Sequence, residues 1–599
     1  MLISKIVILN DKKMLFLQKY LLFLIDLKYV ITYIKLLCFF SGQNRNKLLL
    51  LQKMDTAMNR MKYLIAFLLL FSASSAVART LEIKMSQCPK PYVDNLREMT
   101  SNLGHTDELI LNFDKAGKYE FDGSLKFRCN TTIKGVNSET TRVIVKEGYA
   151  NGKSKMLDDT FFAVHGTSDN KVKVVVRDIR FELASHKGTL WENAPKHIVK
   201  VCDGGGVTVD NVTFWSTDAV ITHVDLRECC DVVVENCTFE NYNNCEAGGC
   251  LWSRGKQENI VVRNNVFSKY GKDEALAFWG GNNHKASDTS HMRDITVDNN
   301  EFYFGNKIKS KKDWVMTVLI CFYHFADNHT KEKCVVENLS FINNKITIDA
   351  PTIRNIWFNF DALATVSGIE ISNNIINNTS KVSGKSNYLS DISISTAHNT
   401  DSPIVVNKNK VKTSGQVLCD GKNSGYTFLS MENANVNIDN NVVNSDYGVR
   451  LIWCRGSNNN ITMTNNQAFG LDKTAVLSAN KSNGSVSLSS FSNNLNGDTR
   501  IYCNNIKNLA LVFKNNVINS TDYHFFLQEA AEQTSITFED NVVNAKKGKG
   551  SIYANYSGVN YNFNNVTISN NTFNGLKKAD ISEPFNKVKK LKMNNNIYR

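Results

Sequence analysis

Val207-Thr208-Val209-Asp210-Asn211-Val212-Thr213-Phe214 is the stretch that decides the fold, because the chain keeps returning to it. The same phrase, an alternating apolar run, a pair rich in Asn or Asp, then a further apolar residue, reads again at Val232–Phe239, Ile260–Phe267 and Ile295–Phe302. It recurs at Ile369–Ile376, Val436–Val443, Ile536–Val543 and Val566–Phe573. Successive starts lie 25 (207 to 232), 28 (232 to 260) and 35 (260 to 295) residues apart. A fixed phrase at similar but unequal steps marks a solenoid in which each repeat is one coil.

Alternation with period two sends every second side chain to one face, so each phrase buries a Val, Ile or Phe. The intervals hold further short β-rich runs, such as Ala219–Thr222 and Ile356–Asn359, and almost nothing of helical period. Asn tolerates left-handed backbone and its amide bonds the main chain, which suits the corner between two strands. In stacked coils, equivalent Asn residues lie about 4.8 Å apart, close enough for an amide ladder. A β-propeller needs blades of about 40 residues or more with four strands each, and the 25-residue steps exclude it. The expected class is all-β, a parallel β-helix with three short strands per coil.

The phrases and the three-strand coils resemble the right-handed parallel β-helices of the pectin-lyase-like superfamily, over Leu109 to Tyr598. That superfamily includes polysaccharide lyases, glycoside hydrolases, phage tailspikes and adhesins, so the resemblance implies a fold and leaves the chemistry to particular residues.

Ahead of the repeats, Met61-Lys62, the apolar Tyr63–Phe71 and Ala76-Val77-Ala78 read as a secretory signal cleaved after Ala78. The expected organisation is an upstream extension from a mis-assigned start (1–53), the signal (54–78), an N-terminal cap (79–108) and the β-helix (109–599). Leu15–Phe40 is a poor membrane span because Asp26, Lys28 and Lys35 interrupt it. Pro91–Asn102, with Val93, Leu96 and Met99, predicts a short helix covering the open first coil. The expected location is exported: periplasmic, cell-surface or extracellular. Cleavage lowers the net charge of +13 to roughly +5, too mild for a nucleic-acid partner. Monomer and trimer both remain open.

All of the 14 cysteines except Cys38 follow Ala78, and export permits disulfides. Cys229, Cys230, Cys237, Cys245 and Cys250 cluster within two coils, but their spacing matches no zinc module. Cys237 falls at an inward position and reads as a small buried apolar residue.

Reactive residues concentrate between Trp215 and Tyr323. Asp218 lies 14 residues before Val232 and Glu246 lies 14 before Ile260, so they share a phase; Asp273 follows one coil later. Carboxylates on neighbouring coils would stand about 5 Å apart and those two coils apart about 9.5 Å, separations that suit retaining and inverting glycosidases or a shared calcium. Asp218, Glu246, Asp273, Glu274, Lys272, Arg254 and His223 are the catalytic candidates. Calcium is considered at Asp218, Glu246 and Asp273. In lyases of the resembled superfamily, acids hold calcium against a uronate and a Lys or Arg removes the C5 proton, which implies that part for Arg254 or Lys272. Asp273-Glu274 also resembles the paired acids of polygalacturonase-like hydrolases, although the Asn-Thr-Asp one coil earlier and the Gly-His-Gly one coil later that mark that family are missing. The competing reading is turn chemistry. Asp391, Asp446 and Asp522 recur 13 to 15 residues before later phrases, and Asp commonly caps corners.

A second row is aromatic and basic. Trp252 and Arg254 lie 8 and 6 residues before Ile260, just as Trp453 and Arg455 lie 8 and 6 before Ile461; His398 lies 6 before Ile404. Trp279, Tyr323 and Trp357 fall on the coils between. Aromatic faces stack on sugars and Arg forks grip carboxylate or sulfate, so Trp252, Trp279, Tyr323, Trp357, His398, Trp453 and Arg455 are the candidate glycan-binding residues, with Arg254 in the same row. The expected partner is a polysaccharide, and the arginines favour an acidic one. Three readings remain: a lyase or hydrolase of an acidic polysaccharide, a non-catalytic cell-surface or adhesin-like glycan binder, and a structural secreted protein.

Overall fold

The computed structural model describes residues 78–599 apart from short intervals, of which 146–159, 184–196, 218–221, 243–248, 271–273, 282–288, 306–315, 325–331 and 398–399 bear on the regions discussed. Residues 1–77, Asp218, Glu246, Lys272, Asp273 and His398 lie outside the described residues. Arg79–Arg599 forms a single structural unit.

Within that unit the chain winds as a parallel β-helix. Each coil pairs with the one before and the one after in parallel register on three faces. On the first face Val232 pairs with Val207 and Ile260. On the second, Phe239 pairs with Phe214 and Phe267. On the third, Leu251 pairs with Val224 and Leu276. All of these side chains are buried, so the core is the inside of the coil. Parallel pairing continues to the last coil, where Leu591 pairs with Val566 and Tyr598 with Phe573. The apolar positions repeat in type as well as place. Phe214, Phe239, Phe267 and Phe302 stack with successive ring centroids 5.0, 4.7 and 4.8 Å apart. Phe278, Phe322 and Phe358 do the same on the third face, at 4.9 and 4.6 Å.

The corner between the first two faces explains the Asn pairs, and it divides their two expected roles between two residues. The first member supplies the left-handed bend: Asn236, Asn264, Asn299, Asn343 and Asn373 all have φ between 51° and 58°, where Asn is least strained among residues with a side chain. The second member turns inward and builds the ladder. Asn300 Oδ1 accepts hydrogen bonds from the backbone N–H and the Nδ2 of Asn265, at 3.0 and 2.9 Å, while Asn265 Nδ2 also donates to the Val234 carbonyl at 2.9 Å. The same pattern runs through Asn344, Asn374, Asn409, Asn441, Asn466, Asn493, Asn516, Asn541 and Asn571 to Asn596. Each buried amide thereby satisfies main-chain groups that would otherwise be stranded. Cys237 heads the row; it is buried, with its backbone N–H donating to Asn265 Oδ1 at 2.9 Å.

At the N-terminal end, Thr80–Lys84 already pairs with Glu108–Asn112 as a coil strand. The helix Tyr92–Thr100 buries Val93 and Leu96 fully, whereas Met99 is 45% exposed. The apolar face is therefore narrower than the sequence pattern indicates. The ten cysteines for which a state is described are all free thiols.

Candidate functional site

Residues that alternate with the buried ones on the third face point outward in two adjacent rows. Asp225, Trp252, Ala277, Cys321 and Trp357 are register partners in one. Arg227, Arg254, Trp279, Tyr323 and Asn359 form the other. Three coils beyond Trp357, Trp453 and Arg455 occupy the same two rows. At about 4.8 Å per coil, Trp252 and Trp453 are about 29 Å apart along the axis.

The aromatic members make a continuous strip. Ring centroids lie 5.2 Å apart for Trp252 and Trp279, 4.9 Å for Trp279 and Tyr323, and 6.1 Å for Tyr323 and Trp357. With Ala277 and Cys321 beneath them, they form a small apolar cluster separate from the core. Trp252 is 6% exposed, while Trp279, Tyr323 and Trp357 are half-buried. Gly249 makes room for Trp252, since a Cβ there would stand 2.3 Å from the indole Nε1.

Cations are interleaved with the rings. The Arg254 guanidinium lies 4.9 Å from the Trp252 ring and 4.5 Å from the Trp279 ring. Arg354 lies 4.6 Å from Trp357, and Arg455 4.7 Å from Trp453. Such contacts are worth about 0.5–2 kcal/mol, more as water is excluded, and they hold a flexible side chain flat on its platform. Burial lowers the pKa of Arg254; the neighbouring Asp225 charge opposes that shift and Arg227 adds to it. Burial likewise lowers Arg354.

Asp225 anchors this group. It has no exposed surface; Oδ2 accepts from Arg227 Nε at 2.8 Å, and Oδ1 lies 3.2 Å from Arg254 Nε. His197 Nε2 stands 3.4 Å from Oδ2. Burial drives His197 down to about 3, so near neutrality it is uncharged and the two arginines compensate the carboxylate. Burial alone would raise the Asp225 pKa, but the surrounding cations outweigh it and keep the group ionised.

His223 is corrected by the structure. It points into the core, fully buried, 5.7 Å from the Phe214 ring and 6.1 Å from the Phe239 ring, with Nε2 2.8 Å from Ser216 Oγ. Burial lowers its pKa to about 3, so it packs as a neutral ring away from the outward strip. Asp391, read from sequence as a corner cap, is also buried without exposed surface. Its Oδ1 accepts from Asn355 Nδ2 at 2.7 Å and Asn378 Nδ2 at 3.2 Å, while Asp391 Oδ2 and Asn355 Oδ1 have no hydrogen-bond partner among the described residues. Ser380 links Asn378 to the buried Tyr426 hydroxyl.

The structure thus brings together Trp252, Arg254, Trp279, Tyr323 and Trp357 and sets Trp453 with Arg455 further along the same rows. Glu274 is half-buried, just before the third-face strand Leu276–Gly280. Asp225, Arg227, His197 and Arg354 complete the strip and were missed as site residues. Among the described residues no group of three or more His, Cys, Asp or Glu is placed to hold a metal; the three acids considered for calcium fall outside them.

No family model matches the chain, and no curated protein matches it. Solved structures similar to it include the catalytic unit of an alpha-1,3-glucanase from Streptomyces thermodiastaticus, at 12% identity and TM-score 0.34, covering 87% of this chain and 69% of that one. A DFA-IIIase from Arthrobacter chlorophenolicus matches at 10% identity and TM-score 0.38, covering 65% and 94%. A family 28 exopolygalacturonase from Yersinia enterocolitica matches at 10% and 0.35, covering 74% and 79%. These are right-handed parallel β-helix enzymes of the pectin-lyase-like superfamily.

Proposed function

We propose that the protein is an exported, carbohydrate-active β-helix that binds an acidic polysaccharide along the third face and cleaves it by elimination or hydrolysis. The observation that carries this reading is the strip Trp252–Trp279–Tyr323–Trp357 with the Arg254 guanidinium between its first two rings. Ring faces offer stacking for pyranoses, and the arginine offers a fork for a carboxylate or sulfate. One coil spacing is close to the length of one sugar unit, so successive rings can meet successive sugars.

For elimination, Arg254 would take the proton beside the uronate carboxyl, and its lowered pKa favours that transfer. Lys272 is the other candidate base. For hydrolysis, Asp273 and Glu274 would supply the acid pair, with Glu246 one coil earlier and Asp218 two. Calcium at Asp218, Glu246 and Asp273 would bridge protein and substrate carboxylates in the eliminating case.

A second reading, a glycan-binding protein without catalysis, is favoured by Asp225. This buried carboxylate of the strip is neutralised by Arg227 and Arg254, as expected of a group that shapes a surface.

The test is a screen of acidic and neutral polysaccharides, with and without calcium, following ultraviolet absorbance and reducing ends together. Absorbance that is lost in Arg254→Ala supports elimination. Reducing ends alone, lost in Glu274→Gln, support hydrolysis. Silence with binding that is lost in Trp279→Ala leaves the binding protein, and silence with no binding overturns both readings.

A further inference from the structure

Away from the strip, a lysine and a cysteine meet through a gap left by glycine. Cys202-Asp203-Gly204-Gly205-Gly206 leads into the first phrase, and Gly205 is the register partner of Cys230 on the next coil. A Cβ on Gly205 would stand 3.0 Å from the Cβ of Lys171 and 3.3 Å from its Cδ. Glycine therefore leaves a trough across its coil. The Lys171 stem lies in the trough and carries Nζ beyond it, to 3.0 Å from Cys230 Sγ. An N–H···O bond normally spans about 2.7–3.2 Å, and sulfur is the larger atom, so the amine and thiol are at close contact. A bent bridging oxygen would hold the two atoms a few tenths of an ångström closer, a small movement for a lysine side chain.

The neighbouring thiols are placed differently. Cys229 is fully buried and faces the Val201 and Arg227 carbonyls at 3.6 and 3.3 Å. Burial pushes its pKa up to about 12, so it is a poor nucleophile. Cys202 is half-buried, and burial pushes it up to about 11. Cys230, also half-buried, is the thiol that has the amine against it.

We propose that Lys171 and Cys230 form an oxidatively made, reductively cleaved crosslink, in which one oxygen atom joins Nζ to Sγ. The oxidant is dioxygen. One N–H and the S–H break, together with loss of the ammonium proton; one N–O and one O–S bond form. The second oxygen atom leaves as water, so the amine and thiol together give up the four electrons that dioxygen accepts. Two equivalents of a dithiol return the four electrons, restoring amine and thiol and releasing the bridging oxygen as water. The crosslink fastens the start of the strand Val172–Leu183 to the strand Cys230–Glu235, across the intervening Gly204–Thr217. Cys230 follows Arg227 by three residues, so the crosslink braces the coil that presents Asp225 and Arg227.

The experiment is intact-mass and peptide analysis of the protein purified in air, before and after dithiothreitol. The crosslinked form is expected to be about 14 Da heavier than the reduced form, one oxygen gained and two hydrogens lost. Lys171 and Cys230 should then fall in one linked peptide. Lys171→Arg and Cys230→Ser should each abolish the shift, while Cys202→Ser leaves it unchanged. Separate, unmodified Lys171 and Cys230 peptides would overturn the proposal. So would oxidation of Cys230 to a sulfinic acid or a disulfide with Lys171 free.

Discussion

Asp225 steers Arg254 from one coil away: its Oδ1 lies 3.2 Å from the arginine Nε, on the side of the guanidinium opposite the terminal fork. The fork is thereby left over the rings of Trp252 and Trp279. Removing the charge while keeping the shape, Asp225→Asn, deprives both arginines of the buried carboxylate they share. The expected cost is roughly 2 kcal/mol of stability, below that of a fully buried pair because Arg227 retains contact with water. Urea denaturation measures it. Unchanged stability would mean the carboxylate does not compensate the arginines.

Replacing Trp279 by Ala opens the middle of the strip between Trp252 and Tyr323. Acidic-glycan binding should weaken about tenfold, equivalent to about 1.4 kcal/mol, while the melting temperature stays nearly constant because the core is untouched. Trp453→Ala should matter for long chains and not for short ones, since it lies six coils from Trp252. Titration with oligosaccharides of graded length separates the two.

The Asn ladder predicts a position effect. Asn374→Ala leaves the Asn344 backbone N–H and the Phe341 carbonyl without their buried partner, at a cost of about 3 kcal/mol. Asn596→Ala removes equivalent bonds in a partly exposed setting and should cost about 1 kcal/mol or less. Equal losses at both positions would argue against burial as the cause.

Asp391 predicts a pH dependence of stability. Burial raises its pKa from an ordinary 3.8 to about 7, against the lowering effect of Asn378 and Asn355. Between those values the unfolded chain releases the proton and the folded chain keeps it. Stability therefore falls as pH rises from about 4 to about 7 and then levels, by on the order of 4 kcal/mol from this group. Asp391→Asn should remove that slope, matching the wild type near pH 4 and exceeding it at pH 8. An amide there can also donate to Asn355 Oδ1, which has no partner among the described residues. Parallel stability curves for the two proteins would show that Asp391 does not titrate in this range.

The architecture was readable because burial on one face forces alternation and the left-handed corner selects Asn; Val207–Phe214 carries both signals. The shared phase of Trp252, Arg254, Trp453 and Arg455 was readable because the same number of residues separates each pair from its phrase. Asp225 escaped for the same reason. It lies seven residues before Val232, whereas its partner Trp252 lies eight before Ile260, because the second coil has one more residue in its turn, where Gly255 adopts φ 81°. Counting from the phrase thus puts Asp225 out of step by one. His223 misled in another way: a polar residue near a strand start carries no mark of which way it faces, and here it replaces an apolar core residue.

From Val207 and Phe214 to Leu591 and Tyr598, first-face and second-face core residues stay seven positions apart in successive coils. Over the same coils the whole turn ranges from 23 residues (Leu488 to Leu511) to 44 (Ile295 to Leu339). From Val207 onward, length variation is therefore confined to the two other bends and the Asn bend acts as a ruler; in the earlier coils, Leu109 to Tyr119 and Thr131 to Val143, the same bend is longer. A designer seeking to graft a foreign peptide onto this scaffold should cut where the lengths already vary. A single residue added between Asn264 and Phe267 would put Val266–Lys269 out of step with the second-face strands before and after it, which Phe239 and Phe302 mark.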